Sequence, residues 1–238
     1  MNLPEQAGLL FIRTDRLTGE EVKNRSMGKK PRAYRGDFRQ NGKKSAGIKG
    51  RIEELPVPDA GEYRLKTGLV HVYTGEGKGK SSTAVGLAVR AAGAGLKVGF
   101  FQFFKNPFSS ETKVLKKLMN LHFYAFASYY YSKEYFSADD IRKLRQDFGG
   151  IWEKVRSITG KNNYDVVILD EVMIALRDKL LTESKLLEFI GRRQKNTEVV
   201  LTGRYLPKKI MEAADIITEM KKIKHPFPEI GARKGIDF

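Results

Sequence analysis

The strongest structural signal in the chain is the stretch TGEGKGKSST, residues 74–83, a loop rich in glycine and lysine. The run before it, GLVHVYTG at 68–75, is apolar and rich in β-branched residues, which is typical of a buried strand. The run after it, STAVGLAVRAAGAG at 82–95, has apolar residues at helical spacing and ends at glycines. Glycines let backbone amides point at a ligand, and the start of a helix offers free N–H groups to an anion. This strand–loop–helix stretch therefore predicts a binding site for polyphosphate.

The spacing within the loop differs from the common phosphate-loop pattern. That pattern, G-x-x-x-x-G-K-[ST], has four residues between its glycines, whereas only three separate Gly75 from Gly79. Lys78 and Lys80 add positive charge, and Ser81 supplies a hydroxyl where a nucleotide-bound Mg²⁺ needs one. We interpret the stretch as a shortened variant of the loop. The alternative is an ordinary glycine turn.

An acidic pair follows another apolar run, YDVVILDE at 164–171. Asp170 and Glu171 are placed at the end of a predicted strand, where a carboxylate can organise a hydrated metal. With Ser81 they are the predicted ligands of Mg²⁺ or Mn²⁺. The alternative is a charged strand end that is exposed to solvent.

Strands alternate with helices from residue 67 onward, which predicts a mostly parallel sheet covered on both faces. Further strands are predicted at 97–104, 122–131, 164–171, 197–204 and 214–223, and further helices at 111–119, 137–158, 183–193 and 207–214. We expect an α/β domain over residues 67–238.

Residues 1–66 differ in composition from the rest. Lys, Arg and Gly dominate KNRSMGKKPRAYRGDFRQNGKKSAGIKGR at 23–51, and no hydrophobic period persists. Such a segment buries too little apolar surface to offset the entropy of ordering. We expect a basic, flexible or partner-ordered N-terminal extension, with LPVPD at 55–59 as an extended linker.

Composition limits the class of protein. The 238 residues carry a formal net charge of +16, which points to an anionic partner or to a merely soluble basic protein. There is no cysteine, and no apolar run approaches the length of a membrane span. The apolar patch at residues 8–12 lacks the basic lead and cleavage site of a signal peptide. We expect a cytoplasmic protein without a membrane partner.

Several segments resemble one family, in family order across residues 68–238. They are YTGEGKGKSSTAVGLAVRAAG, KVGFFQFFK, YDVVILDEVMIAL, VVLTGR, AADIITEMKKIKHPF and the closing KGIDF. The chain is similar here to the ATP:corrinoid adenosyltransferases that carry a phosphate loop. The loop of that family has the same shortened spacing.

The resemblance implies a RecA-like P-loop fold and an enzyme that uses ATP, Mg²⁺ and a reduced corrinoid. Because members of the family are often dimeric, it also implies a homodimer. The reaction moves the 5′-deoxyadenosyl group of ATP to cobalt(I) and releases triphosphate, in adenosylcobalamin biosynthesis or salvage. A flavin-type reductase is the implied source of the electron. Lys78 and Lys80 would then be catalytic, because they neutralise the departing triphosphate.

The resemblance also implies a set of ATP-binding residues, which includes the loop residues already named. The implied ATP-binding residues are Gly75, Glu76, Gly77, Lys78, Gly79, Lys80, Ser81, Ser82, Arg90 and Arg204. Ordinary salt bridges are the alternative for the two arginines.

The implied corrinoid-binding residues are Tyr129 and Tyr131, in SYYYSKEYF at 128–136. Some relatives have Phe and Trp at these positions, where they displace the lower cobalt ligand, and aromatic core packing is the alternative. His225 is interpreted as a structural hydrogen-bonding residue. Ser110 stands where relatives often have Gly, which is a second departure from the family pattern.

Two other functions remain open on the residues alone. One is a P-loop ATPase or a nucleic-acid-binding protein that uses the basic extension, whose Tyr34 and Phe38 lie among Lys and Arg. The other is a nucleotide sensor without chemistry. The TGR and IKHPF segments favour the adenosyltransferase, because a generic ATPase has no reason to contain them, and they make nucleic acid an unexpected partner.

Overall fold

A computed structural model of the protein describes residues 10–13, 64–105, 109–127 and 137–237. Its elements, in chain order, are β1 (Leu10–Arg13), β2 (Val70–Thr74), α1 (Lys80–Gly93), β3 (Val98–Phe103), α2 (Thr112–Leu115), β4 (Leu121–Ala127), α3 (Ala138–Asn162), β5 (Val166–Asp170), α4 (Val172–Arg177), α5 (Glu183–Gly191), β6 (Glu198–Thr202), α6 (Lys208–Ala213) and β7 (Ile216–Glu219). None of the helices in these ranges combines the length and apolar character needed to cross a bilayer.

The seven strands form one sheet in the order β1-β4-β3-β5-β6-β2-β7. Every neighbouring pair is parallel except β1 with β4. Strand β6 lies between β2, which leads into the loop, and β5, which ends in the acidic pair. The prediction of a RecA-like α/β fold with a mostly parallel sheet is confirmed.

The sheet is buried on both faces, and successive residues of its inner strands enter opposite sides of the core. Phe100 and Ile168 pack with the alanines of α1 on one face. Phe101 and Leu169 pack with Trp152 of α3 on the other face. Because both faces are covered, the inner strands have continuous apolar runs instead of an alternating pattern.

Three features of the elements were not predicted. Strand β1 lies within the N-terminal segment, where Leu10 pairs with Ala127 of the edge strand β4. Helix α4 begins directly after Glu171 and is only six residues long. Helix α3 follows Ser137, which forms a capping box with Asp140, and it continues beyond the predicted end at residue 158 to Asn162. Most of the proposed flexible extension, residues 1–9 and 14–63, lies outside the described residues.

The parallel arrangement places the site. The carboxyl ends of β2 and β5 lie at the same edge of the sheet, and ligands of open α/β sheets bind at that edge. The loop after Thr74 and the carboxylate of Asp170 are therefore brought to one place by topology alone.

The central strand supplies a test of this core. Replacing the fully buried Ile168 by Ala should lower the free energy of unfolding by about 2–5 kcal/mol, because a cavity remains between sheet and helix. Urea unfolding followed by circular dichroism measures the change. The matched control is Ile223→Ala at a position that is 92% exposed, and its effect should stay within about 0.5 kcal/mol. Equal effects of the two substitutions would contradict the assigned core.

Candidate functional site

The loop between β2 and α1 is held by the chain that follows β7. Gly75 and Gly79 have φ values of 96° and 120°, in the left-handed region that favours glycine. Met220 donates its N–H to the carbonyl of Thr74 at 2.8 Å and accepts one from Gly77. A Cβ added to Gly77 would lie 2.5 Å from the Met220 carbonyl oxygen. Glycine is therefore required at Gly77 by the close backbone approach, and at Gly75 and Gly79 it is favoured by conformation.

Lys80, the first residue of α1, turns its side chain back into the loop. Its Nζ donates to the carbonyl oxygens of Gly75 at 2.6 Å and Gly77 at 2.7 Å. The side chain is buried, and burial lowers the pKa of Lys80 while the nearby Glu171 acts in the opposite direction. An ammonium group thus lies at the centre of the loop.

Asp170 is the most completely bonded polar side chain at this edge of the sheet. It is fully buried at the end of β5. Its Oδ1 accepts from Ser81 Oγ at 2.8 Å and from Thr202 Oγ1 at 2.7 Å. Its Oδ2 accepts from Lys105 Nζ at 2.9 Å and, more weakly, from Gln102 Nε2 at 3.4 Å. The predicted metal ligands Ser81 and Asp170 are therefore in direct contact.

Three of these partners were missed by the sequence analysis. Gln102 and Lys105 belong to the run KVGFFQFFK, and Thr202 belongs to VVLTGR. A polar residue within an otherwise buried strand is a usable signal, because it needs a partner there. The partner itself is 65 or more residues away for both Gln102 and Lys105, so it could not be assigned from spacing.

Glu171 completes the acidic pair from an unusual backbone position. Its φ is 64°, and its N–H donates to Thr202 Oγ1 at 2.8 Å. Burial, and then the neighbouring Asp170, raise the pKa of Glu171, whereas Lys105 and Lys80 lower it. The charge of Lys80, whose side chain lies in the loop, therefore acts on the Glu171 carboxyl.

A hydroxyl and two carboxylates suit a hard divalent cation such as Mg²⁺. Within the described ranges, no group of three or more His, Cys, Asp or Glu side chains could hold a metal. Phosphate oxygens and water would have to complete the coordination, as is usual for Mg²⁺ at nucleotide sites. The donor set from Ser81, Asp170 and Glu171 fits that kind of ion.

Two other predicted basic residues have acidic partners. Lys78 donates to Asp237 and to the carbonyl of Ile236, and this contact, followed by that of Arg233, holds the pKa of Asp237 well below its usual range. Arg204 contacts Glu76 at 3.2 Å, with both side chains more than half exposed. A phosphate could replace either carboxylate without disturbing the core.

Arg90 is not brought to the loop. It lies in the last turn of α1, about 15 Å along the helix from Lys80, and is exposed. Its charge acts on Tyr73, whose pKa burial and Glu198 raise and Arg90 lowers. Ser82 is exposed in the first turn of α1, while Tyr129 and Tyr131 lie outside the described residues.

His225 accepts at Nδ1 from the N–H of Phe227 at 3.1 Å, in keeping with a structural interpretation.

A family model described as ATP:corrinoid adenosyltransferase BtuR/CobO/CobP matches residues 66–238. The chain belongs to the ATP:corrinoid adenosyltransferase family. The family prediction is thereby confirmed, and with it the class of enzyme. ATP and a corrinoid are the substrates of the family.

Curated relatives agree with this family. The chain is 35% identical over 184 residues to the corrinoid adenosyltransferase of Pseudomonas aeruginosa, with 74% of this chain and 87% of that protein covered. The corrinoid adenosyltransferase of Sinorhizobium sp is 33% identical, covering 72% of this chain and 80% of its own length. That of Escherichia coli strain K12 is 28% identical, with 79% and 94% covered.

The close approach at Gly77 gives a test of the loop. Gly77→Ala places a methyl group against the Met220 carbonyl, so the loop must shift away from its phosphate-binding form. We expect ATP affinity, measured by titration calorimetry, to fall at least tenfold, or by about 1.4 kcal/mol. Gly86→Ala in α1 is the matched control, since nothing lies within 4 Å of its added Cβ, and it should bind ATP as the parent does. Unchanged affinity in Gly77→Ala would refute a phosphate-binding role for this loop.

Proposed function

We propose that the chain transfers the 5′-deoxyadenosyl group of ATP to the cobalt(I) of a reduced corrinoid and releases triphosphate. The observation that carries the proposal is the position of Lys80 and Ser81 at the start of α1, with Asp170 at the end of β5 bonded to Ser81, in a chain of this family. A buried ammonium group that donates to a loop carbonyl is here next in sequence to a hydroxyl that donates to a buried carboxylate. We infer a place in adenosylcobalamin biosynthesis or salvage.

The bond that breaks in this reaction joins C5′ of the ribose to an oxygen of the triphosphate. The electron pair of cobalt(I) forms the new cobalt–carbon bond, and the pair of the broken bond remains on the departing oxygen. No proton has to be transferred, so no general base is required. The contributions left to the protein are the positioning of C5′ and the stabilisation of charge on the leaving group.

Lys80 is suited to stabilise that charge. Its ammonium group is buried and already aimed into the loop through the carbonyls of Gly75 and Gly77. Phosphate oxygens entering the loop would replace those carbonyls as acceptors. Charged hydrogen bonds of this kind are stronger than neutral ones, and more so where water is excluded.

Lys78 and Arg204 would add charge at the rim of the site. Their present partners, Asp237 and Glu76, are carboxylates that a triphosphate could displace. We also propose the loop amides and the Ser82 hydroxyl as nucleotide contacts. Arg90 is left out of the proposed phosphate site because of its distance along α1.

A divalent cation, Mg²⁺ or Mn²⁺, would be held by Ser81, Asp170 and Glu171. When bound, it would neutralise part of the triphosphate charge as the leaving group departs. The protein contributes by keeping Ser81 Oγ and Asp170 Oδ1 2.8 Å apart. Thr202 supports the same carboxylate oxygen from the neighbouring strand.

Tyr129 and Tyr131 are our proposed corrinoid contacts. The pairing of Leu10 with Ala127 supports an arrangement in which the N-terminal segment also contributes, because Ala127 lies two residues before Tyr129. We propose that the N-terminal segment acts in binding of the corrinoid. This is proposed for the segment in preference to binding of nucleic acid.

We propose a homodimer, a flavin-type reductase as the electron donor and a cytoplasmic location. Exposed apolar side chains on and after β7, which are Ile216, Ile217, Ile223, Phe227 and Ile230, support a protein–protein contact at this end of the sheet. A reductase is needed because cobalt(I) must be generated before it can attack. The absence of cysteine fits a reducing compartment.

The function is tested by its products. With ATP and a chemically reduced corrinoid, the chain should yield triphosphate and a light-sensitive alkyl-cobalt product. Lys80→Ala should lower this rate by about 100-fold or more, because charge on the leaving group loses its buried partner. Lys113→Ala, an exposed lysine in α2, is the control and should keep the parent rate. Formation of ADP and phosphate would show an ATPase instead.

The N-terminal segment is tested by deletion of residues 1–60. If the segment covers the corrinoid, KM for the corrinoid should rise several-fold while KM for ATP changes less. Thermal unfolding of the truncated chain measures how much stability is lost with β1 itself. A truncated enzyme with unchanged corrinoid KM and turnover would contradict this role.

A further inference from the structure

Lys105 has no part in the function proposed above, yet it contacts two of the proposed metal ligands. Its Nζ donates to Asp170 Oδ2 at 2.9 Å and also to Ser81 Oγ. Ser81 in turn donates to Asp170 Oδ1 at 2.8 Å. The ammonium group thus bridges the hydroxyl and the carboxylate that would ligate a divalent cation.

The charge of Asp170 explains why a cation is needed there. The carboxylate is fully buried, and its other donors, Ser81, Thr202 and Gln102, are neutral. A buried carboxylate without a countercharge is strongly unfavourable. In the part of the chain that the structure describes, Lys105 is the one ion-pair partner of Asp170. Lys105 therefore supplies the countercharge that a metal would otherwise bring.

The backbone conformation next to Lys105 directs its side chain toward Ser81 and Asp170. Phe104 has a φ of 54°, a left-handed conformation that is unfavourable for a residue other than glycine. The Phe104 ring stacks on Phe148 of α3 with centroids 5.6 Å apart and planes 6° apart. This packing holds the turn at the end of β3, from which Lys105 reaches Ser81 and Asp170.

The remaining basic side chains around the loop are engaged elsewhere. Lys80 donates to loop carbonyls, Lys78 to Asp237, and Arg204 to Glu76. Lys105 differs from them because its acceptors are proposed metal ligands. Its side chain is partly exposed, at 27%, whereas that of Asp170 is fully buried.

We propose that Lys105 is a positioning residue that holds Ser81 and Asp170 in place and gives up these oxygens to a divalent cation that arrives with the nucleotide. The ammonium group then moves to the phosphate oxygens. Two cations cannot occupy the same pair of oxygens, since like charges about 4 Å apart repel even in a solvated site. This inference rests on metal–nucleotide binding by the loop, as in the proposed function, but not on the cobalt chemistry.

Competition between the ammonium group and the metal gives the experiment. Binding of Mn²⁺ alone, without nucleotide or corrinoid, is followed by the electron paramagnetic resonance signal of the free ion. Lys105→Met, which keeps an unbranched side chain of similar size but removes its charge, should bind Mn²⁺ at least about tenfold more tightly than the parent. Lys113→Met, at an exposed site in α2, is the matched control and should bind as the parent does. Equal or weaker binding of Mn²⁺ by folded Lys105→Met would overturn the proposal.

A second measurement uses the unaltered chain, in case Lys105→Met fails to fold. A crystal structure with Mg²⁺ and ATP, without corrinoid, should show Lys105 Nζ within about 3.2 Å of a phosphate oxygen and beyond hydrogen-bond distance of Asp170. An ammonium group still bridging Ser81 and Asp170 beside bound Mg²⁺–ATP would overturn the inference. Tight Mn²⁺ binding by Lys105→Met with no adenosyl transfer by the parent would instead reject only the proposed function.

Discussion

The structure of the site depends on one buried carboxylate. Asp170 ends the central strand β5 and takes hydrogen bonds from α1 through Ser81, from β6 through Thr202, and from the end of β3 through Lys105. Each bond fixes one wall of the site, because a fully buried charge cannot be left without partners. The hydrogen bonds that satisfy Asp170 also connect α1, β3 and β6 to β5. One of them sets the distance between the Ser81 hydroxyl and the Asp170 carboxylate.

The loop is shaped by a second constraint, which is steric. The chain after β7 passes so close to the loop that Gly75 and Gly77 have no room for a Cβ against the Met220 carbonyl. Pairing of β7 with β2 is what brings Met220 there. Shortening of the loop relative to the common pattern is compatible with Lys80 reaching the carbonyls of Gly75 and Gly77. An edge strand of the sheet thus helps to shape the loop.

Much of this arrangement could be predicted because the signals were local. The glycines, the lysines and the strand–loop–helix order of residues 68–95 predict the loop, and the alternation of strands with helices from residue 67 onward predicts the mostly parallel sheet. The parts that were missed depend on contacts between distant segments. Lys105 and Thr202 contact Asp170 only because β3 and β6 lie on either side of β5. Strand β1 was missed because its four residues gain their stability from pairing with β4 and show too little periodicity of their own.

The distribution of positive charge suits attack at C5′ of ATP better than transfer of its terminal phosphate. In phosphoryl transfer the leaving charge develops between two phosphates, and a water or hydroxyl nucleophile must also be positioned. In adenosyl transfer the whole triphosphate leaves, so cations spread along its length are of use. Lys80 lies at the centre of the loop, Lys78 and Arg204 have partners at its rim, and Lys105 contacts Asp170. A phosphate loop can therefore support a reaction at C5′ of ATP as well as one at the terminal phosphate, because the group that the loop stabilises is the triphosphate anion.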